Sequence, residues 1–297
     1  RNYRSSESFQ AIIYLVTTHD NWQMTDQGCI KFLQWCLPRL NYQWEGFRRV
    51  RKQVCKRIKE RCSALSLTNC ASYRTYLEQD AEEWKILDSL CYITISRFYR
   101  DRKVFGTLQH QILPLLVQNA LESNQAEIRC WSAGCCSGEE PYTLQILWHL
   151  DLLPKLSQQL SLKIIATDRY ADLIIRAERG KYPQSSLKDL PKVFAEKAFI
   201  QSDSNYILKD YLKTDVRFLI QDVRQQLPNG NFDLILCRNL IFTYFQQDLQ
   251  SKLLEQIVEK LKPNGFFVLG VDESLKYSGG LLAPYLVEQP IYQKIKF

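Results

Sequence analysis

Ile128-Arg129-Cys130-Trp131-Ser132-Ala133-Gly134-Cys135-Cys136-Ser137-Gly138-Glu139-Glu140-Pro141 is the stretch on which the reading of this chain turns. A β-prone run, Ile128–Ser132, gives way to small residues and two glycines, and a helical pattern, Pro141–Leu150, follows. Glycine at 134 and 138 lets backbone approach a ligand closely at the carboxyl end of a first strand. The loop lacks the Gly-Lys-Ser/Thr of a phosphate loop and the G-x-G-x-x-G of a dinucleotide fold. Two carboxylates at the helix start, Glu139 and Glu140, would repel a pyrophosphate. They suit the cationic amino group of an amino acid instead, which points toward S-adenosylmethionine and away from NAD. The simpler alternative is a helix whose first turn merely favours acids.

Outward from this loop, short β-rich runs alternate with helical stretches. Leu162–Thr167, Val216–Ile220, Phe232–Cys237 and Gly265–Val271 read as strands, and Ala171–Arg179 and Gln247–Leu261 as helices. That alternation predicts an α/β fold with a parallel, doubly wound, Rossmann-like sheet. Tyr285–Val287 and Ile291–Ile295 are expected to close it as an antiparallel pair. The predicted strand ends are polar in register. Asp168 ends the second, suited to ribose hydroxyls. Asp222 and Val223 follow the third, where Asp222 can accept from an adenine amino group, and Arg238 and Asn239 follow the fourth. One such acid is easily a turn residue; three polar ends after a glycine loop make a site.

The first 120 residues read differently, as helices, with glycine only at 28, 46 and 106. The expected organisation is a helical extension over 1–40, a small basic all-α domain over 41–120, and a cofactor-binding domain over 121–297. Net charge is +7, and much of it is concentrated around residues 48–61. Eight basic residues there (Arg48, Arg49, Arg51, Lys52, Lys56, Arg57, Lys59, Arg61) meet one acid, Glu60. Helical spacing puts Val50, Val54, Ile58, Cys62 and Leu65 on one buried stripe. Arg49, Lys52, Lys56 and Lys59 fall opposite, while Arg57 and Arg61 border the stripe. A solvated charged face is the plain reading. A docking surface for an acidic partner is the functional one, since clustered like charges cost stability.

No stretch approaches the roughly 20 apolar residues of a membrane span; the longest early run is Ala11–Val16. Ten cysteines include no Cys-x-x-Cys pair, and the three histidines show no ligand spacing. Most of the cysteines are therefore expected to be thiols of a cytoplasmic protein, with no metal site.

These segments together resemble the chemotaxis-receptor methyltransferase (CheR) family, from about Phe47 to Phe297. Trp131 to Tyr142 resembles its W-S-A-x-x-(S/T)-G-E-E-x-Y segment, and Ala166-Thr167-Asp168 its A-T-D. Cys237-Arg238-Asn239 resembles C-R-N, Gly270-Val271-Asp272-Glu273 resembles G-x-x-E, and Ser96-Arg97-Phe98-Tyr99-Arg100 resembles T-x-F-F-R. The resemblance implies a class I methyltransferase domain behind a small helical domain, using S-adenosyl-L-methionine and releasing S-adenosyl-L-homocysteine. It implies O-methylation of protein glutamate. By the same resemblance Glu139 holds the methionine amino group, Asp168 the ribose, and Asp222 stands where the family usually has Asn near adenine. Ser96, Ala133 and Gly134 line the pocket, Arg100 stands beside the methyl group, and Arg238 and Asn239 line the reaction site. The basic helix with Arg57 and Arg61 matches a substrate-facing helix, and Ala198–Leu212 an inserted β subdomain. Tyr244 departs from the pattern: it lies five residues past Asn239, where the family's tyrosine lies four past. Residues 1–40, with Trp22 and Trp35, match no family segment.

A sulfonium methyl group is already activated, so in-line transfer depends on positioning. A glutamate arrives ionised, with a reference pKa of about 4.3, and needs no general base. Arg100 is expected to orient it, with Arg238, Asn239 and Tyr244 shaping its approach. The rival readings are a nucleic-acid methyltransferase, a small-molecule carboxylate methyltransferase and a non-catalytic cofactor sensor. The first lacks an Asn/Asp-Pro-Pro-aromatic segment at the fourth strand end, which makes nucleic acid the weaker partner beside an acidic protein or peptide.

Overall fold

The computed structural model describes residues 26–275 and 280–295, and the chain divides into two compact units between Ile93 and Thr94. The expected run Ala11–Val16 and Trp22 lie outside the described residues.

In the first unit, helices α1 (Asp26–Cys36), α2 (Trp44–Phe47), α3 (Arg51–Ala64), α4 (Cys70–Gln79) and α5 (Ala81–Leu90) follow one another. Residues 26–40 thus form part of this unit: Phe32, Leu33, Cys36 and Leu37 are buried. Asn69 caps α4, its Oδ1 accepting from the Ser72 N–H at 2.9 Å, and Asp80 caps α5. Such caps satisfy donors that a helix start leaves open. Along α3 the stripe forms at Val54, Ile58 and Cys62, which are buried, whereas Val50 and Leu65 at the helix caps are only half-buried; Lys52, Lys56 and Lys59 are exposed. Most of the cysteines are thiols, as expected, with one exception. Cys29 of α1 and Cys55 of α3 form a disulfide with Cα atoms 6.1 Å apart. No spacing rule could reveal this pair, because helix packing, not sequence separation, brings the two together.

In the second unit the strands are β1 (Glu127–Ala133), β2 (Ser161–Asp168), β3 (Lys181–Pro183), β4 (Phe199–Ser202) and β5 (Asn205–Leu208). They continue as β6 (Val216–Ile220), β7 (Phe232–Leu236), β8 (Leu261–Val268), β9 (Leu282–Pro284) and β10 (Ile291–Lys294). Seven of them form one sheet in the order β6-β2-β1-β7-β8-β10-β9. β1 pairs in parallel with β2 on one side and β7 on the other, and β10 runs antiparallel between β8 and β9. The chain therefore winds outward from β1 and restarts at β7, leaving a crevice beside the carboxyl end of β1. Ligands of open α/β sheets bind at such a switch point. The closing antiparallel pair forms, with its first strand at Leu282–Pro284 and not at Tyr285–Val287.

Helices α6 (Arg102–Thr107) and α7 (Leu113–Glu122) belong to this second unit, so the division comes earlier than residue 120. The reason is packing. Phe98, Val104, Phe105, Leu108, Ile112 and Leu116 share one buried cluster with Cys130, Leu162 and Leu234 of the sheet. Helical periodicity reports that a segment has an apolar face and not which core that face joins. Helix α8 (Glu139–Leu147) is buried at every position except Glu140. α9 (Ala171–Arg179) instead shows one apolar face, Leu173, Ile174 and Ala177, and ends at Gly180 in the left-handed region.

The inserted subdomain is a three-stranded antiparallel sheet in the order β3-β5-β4, preceded at β4 by α10 (Lys192–Ala198). β3 lies outside the expected 198–212 segment. Phe98 packs edge-on against Tyr182 of β3 at 4.8 Å and Phe199 of β4 at 5.1 Å. That fixes the start of the segment leading to Arg100. After β7 come the short α11 (Ile241–Tyr244) and α12 (Gln247–Lys260).

Candidate active site

The glycine loop joins β1 to α8 through three left-handed residues, Gly134, Cys136 and Gly138, a conformation that only glycine adopts cheaply. Gly134 has φ 71° and Gly138 has φ 87°. A Cβ on Gly134 would lie 2.8 Å from Leu240 Cδ2, and one on Gly138 2.8 Å from Ala177 Cβ. Protein packing alone therefore demands both glycines. Thr167 carbonyl accepts from Gly134 and Cys135 N–H groups at 2.8 and 2.9 Å, tying the loop to the end of β2.

Asp168, next in chain, holds the same loop. Its Oδ2 accepts from the Cys136 N–H at 2.9 Å and its Oδ1 from the Tyr170 N–H at 3.1 Å. Burial pushes its carboxyl up, and these backbone donors pull against that rise. The Arg169 N–H also hydrogen-bonds to this carboxylate.

Glu139 is the most informative side chain of the site. It is 3% exposed at the start of α8. Ser186 Oγ reaches its Oε1 at 3.5 Å, and Ser96 also hydrogen-bonds to the carboxyl. Its Oε2 is buried with no hydrogen-bond partner among the described residues. Burial pushes the carboxyl above its ordinary range. A buried carboxylate oxygen without a partner is costly, and a bound ammonium would remove that cost. The site thus fits the methionine end of S-adenosylmethionine.

The third strand end is less open than its sequence suggests. Asp222 accepts from Arg224 Nε and Nη2 at 3.0 and 2.6 Å, and Arg169 Nε lies 3.6 Å away. Burial works to raise this carboxyl, but Arg224 and Arg169 outweigh it and hold it below its ordinary value. An adenine amino group would share Asp222 with Arg224. Val223 beside it is buried.

At the fourth strand end, Arg238 points inward. Its Nη1 donates to Glu140 Oε2 at 3.0 Å, and its Nη2 to Asp101 Oδ2 at 2.5 Å and to the Arg100 carbonyl at 3.0 Å. Asn239 adopts φ 55°, with its N–H donating to Glu273 Oε2 at 2.7 Å. Glu273 also accepts from the Gly270 N–H and from Thr243 Oγ1. It binds the loop after β8 to the one after β7. Arg100 donates from Nη1 to the Ile95 carbonyl at 2.6 Å. Burial pushes the Tyr244 phenol up to about 12, while nearby Arg100 pulls it down and Glu273 pushes it up. Arg100, Tyr244 and Glu273 are therefore electrostatic neighbours.

In the helical unit, two of the expected docking residues are engaged locally. Arg57 donates to the Leu90 and Tyr92 carbonyls and lies over the Tyr92 ring at 3.6 Å. Arg61 pairs with buried Glu83 at 2.6 Å, and Tyr73 donates to that carboxylate as well. Arg49, Lys52, Lys56 and Lys59 remain exposed.

Asp101, Thr143 and Ser186 carry no role in the sequence reading, Glu140 enters it beside Glu139 as a partner for an ammonium and not for Arg238, and Glu273 enters it only as part of a motif. For Glu140 and Glu273 the motifs were the available signal. For the others there was none, because their partners are distant in sequence.

The sequence profile of the family described as "CheR methyltransferase, SAM binding domain" matches residues 94–283. A chemotaxis protein methyltransferase of Borreliella burgdorferi is 31% identical over 228 residues, 74% of this chain and 80% of its own. Chemotaxis protein methyltransferase 2 of Vibrio cholerae is 29% identical over 258 residues, 85% of this chain and 87% of its own. Among solved structures, the N-methyltransferase NodS of Bradyrhizobium japonicum with S-adenosyl-l-homocysteine aligns at TM-score 0.31 and 16% identity. It covers 58% of this chain and 63% of that one. The class is thus an S-adenosylmethionine-dependent methyltransferase with a Rossmann-like sheet. The chain belongs to the CheR methyltransferase family. Among the described residues, no helix is long and apolar enough to cross a membrane.

Removing the Asp168 carboxylate tests the second strand end. Calorimetry with S-adenosylhomocysteine should show Asp168→Ala losing about tenfold or more in affinity, as expected for charge-assisted hydrogen bonds. Unchanged affinity would remove Asp168 from the site.

Proposed function

We propose that this methyltransferase esterifies a carboxylate, a glutamate side chain on an acidic protein or peptide, by in-line transfer. The observation that carries the reading is that Arg100 lies within electrostatic reach of Tyr244, a phenol that stays protonated at neutral pH. With its pKa up at about 12, Tyr244 is no base at neutral pH. Glu273 is occupied by three donors. An acceptor that must lose a proton finds no help from either group, whereas a carboxylate needs none. Arg100 draws the acceptor in and orients it, and Tyr244 donates a hydrogen bond on its approach.

S-adenosylmethionine, when bound, supplies a methyl group already activated on sulfonium. Glu139 holds its ammonium, with Ser96 steadying Glu139, and Asp168 accepts from the ribose. Ala133 and Gly134 border the methionine side, and Asp222 and Val223 the adenine. Arg238 and Asn239 keep the walls of the acceptor side in place. The reading takes the enzyme to act in the cytoplasm. Eight of its ten cysteines are thiols outside the disulfide, which suits a reducing compartment.

The exposed row Arg49, Lys52, Lys56 and Lys59 would attract the acidic acceptor, with Arg57 and Arg61 holding the helix that carries it. Such attraction is screened beyond about 8 Å at physiological salt. Reversing Lys52, Lys56 and Lys59 to Glu should therefore raise KM for a macromolecular acceptor by about tenfold or more. S-adenosylhomocysteine affinity should not change, and added salt should slow capture more than chemistry. Turnover indifferent to both salt and the triple reversal would favour a small-molecule carboxylate instead.

A further inference from the structure

Arg100 sits in a turn that the backbone does not adopt freely. Its neighbours Tyr99 and Asp101 have φ of 57° and 65°, the left-handed region that side-chain-bearing residues enter at a cost. On one side the turn is pinned by Tyr99. Its N–H donates to Thr143 Oγ1 at 3.0 Å and its phenol to Gln109 Oε1 at 2.9 Å. On the other side the pin is Arg238, whose side chain is 4% exposed. Its bonds to the Arg100 carbonyl, Asp101 and Glu140 tie this turn to the first turn of α8, where Glu139 lies.

We propose that Asp101 is a positioning residue of the transfer reaction: by holding Arg238 on the Arg100 carbonyl, it sets where Arg100 stands relative to Glu139. This rests on the reading of Arg100 as the acceptor-side cation. Asp101 itself touches neither acceptor nor cofactor in this scheme. A buried guanidinium satisfies both carboxylates at once, and its planar fork has the geometry for it. A lysine at 238 would offer a point charge and lose one of the two ties.

Charge balance makes Asp101 the side to test. In Asp101→Asn, Arg238 keeps Glu140, so no buried cation is left unpaired. Removing Arg238 would instead leave two carboxylates facing each other and risk the fold. Asp101→Asn should therefore bind S-adenosylhomocysteine within about twofold of the native chain. Its kcat should fall about tenfold, because small misplacements of a catalytic group cost that much or more. KM for the acceptor should move far less.

The decisive comparison adds Asp101→Asn to Arg100→Ala. A residue acting through Arg100 has nothing left to position there, so the residual rate should not fall further. Native turnover in Asp101→Asn would overturn the inference. So would a second, equal loss on top of Arg100→Ala, because that marks a general structural role. Native turnover in Arg100→Ala alone would bring down the reading of Arg100, and this inference with it.

Discussion

Arg100→Ala should lose at least about a hundredfold in turnover, while binding S-adenosylhomocysteine within about threefold of the native chain. Two observations set this expectation. The guanidinium lies within electrostatic reach of the neutral Tyr244 phenol, where it offers an incoming carboxylate a positive charge. Its hydrogen bond to the Ile95 carbonyl orients it without neutralising it. The contribution is positional and electrostatic, and it belongs to kcat because the cofactor-binding groups Glu139 and Asp168 stand on other elements. Arg100→Lys should recover only part of the loss, since an ammonium does not reproduce a planar fork. Single-turnover transfer with bound labelled cofactor measures this directly. A near-native rate in Arg100→Ala would show that the acceptor is oriented by other residues.

Glu139→Gln should separate binding from stability, in opposite directions. Burial raises the Glu139 carboxyl above its ordinary value, so the folded chain holds that proton more tightly than the unfolded chain. Stability from this group is then fully present below the unfolded pKa and is lost as pH rises through the raised folded one. At neutral pH the ionised carboxylate, with Oε2 lacking a partner, is a burden on the ligand-free protein. Glu139→Gln removes that charge, so the ligand-free melting temperature should rise or hold, not fall. Affinity for S-adenosylhomocysteine should drop about tenfold to a hundredfold, the loss of a charge-assisted contact to its ammonium. Native affinity should itself weaken as pH falls through the raised pKa, and the variant should lose that dependence. A lower melting temperature with unchanged affinity would make Glu139 a structural acid.

The parts of this molecule that follow local rules were legible in the sequence. The glycine loop, the strand–helix alternation and the polar strand ends define a parallel sheet with a switch point beside β1, and the structure has it. The α3 stripe came out because helical spacing depends only on neighbours along the chain. What the sequence hid depends on which partner each side chain finds in the fold. Arg238 reads as a reaction-site cation, but three contacts turn it inward, two of them to residues over a hundred positions away. Asp222 reads as an open acceptor, but Arg224 two residues later curls back onto it. Arg61 reads as a candidate for docking, yet buried Glu83 claims it. The Cys29–Cys55 pair and the membership of α6 and α7 in the sheet's core belong to the same kind. Packing decides these, and periodicity is silent about it.

Whether the acceptor is a carboxylate is decided by the chemistry of the product. The native chain, given S-adenosylmethionine labelled in the methyl group, should transfer label to an acidic protein fraction. Mild base should then release that label as volatile methanol, because methyl esters hydrolyse under conditions that leave N-methyl groups intact. The release should be essentially complete, and Arg100→Ala should leave little label to release. Label that enters the fraction and withstands base would rule out a carboxylate acceptor, because a methyl ester does not survive that treatment.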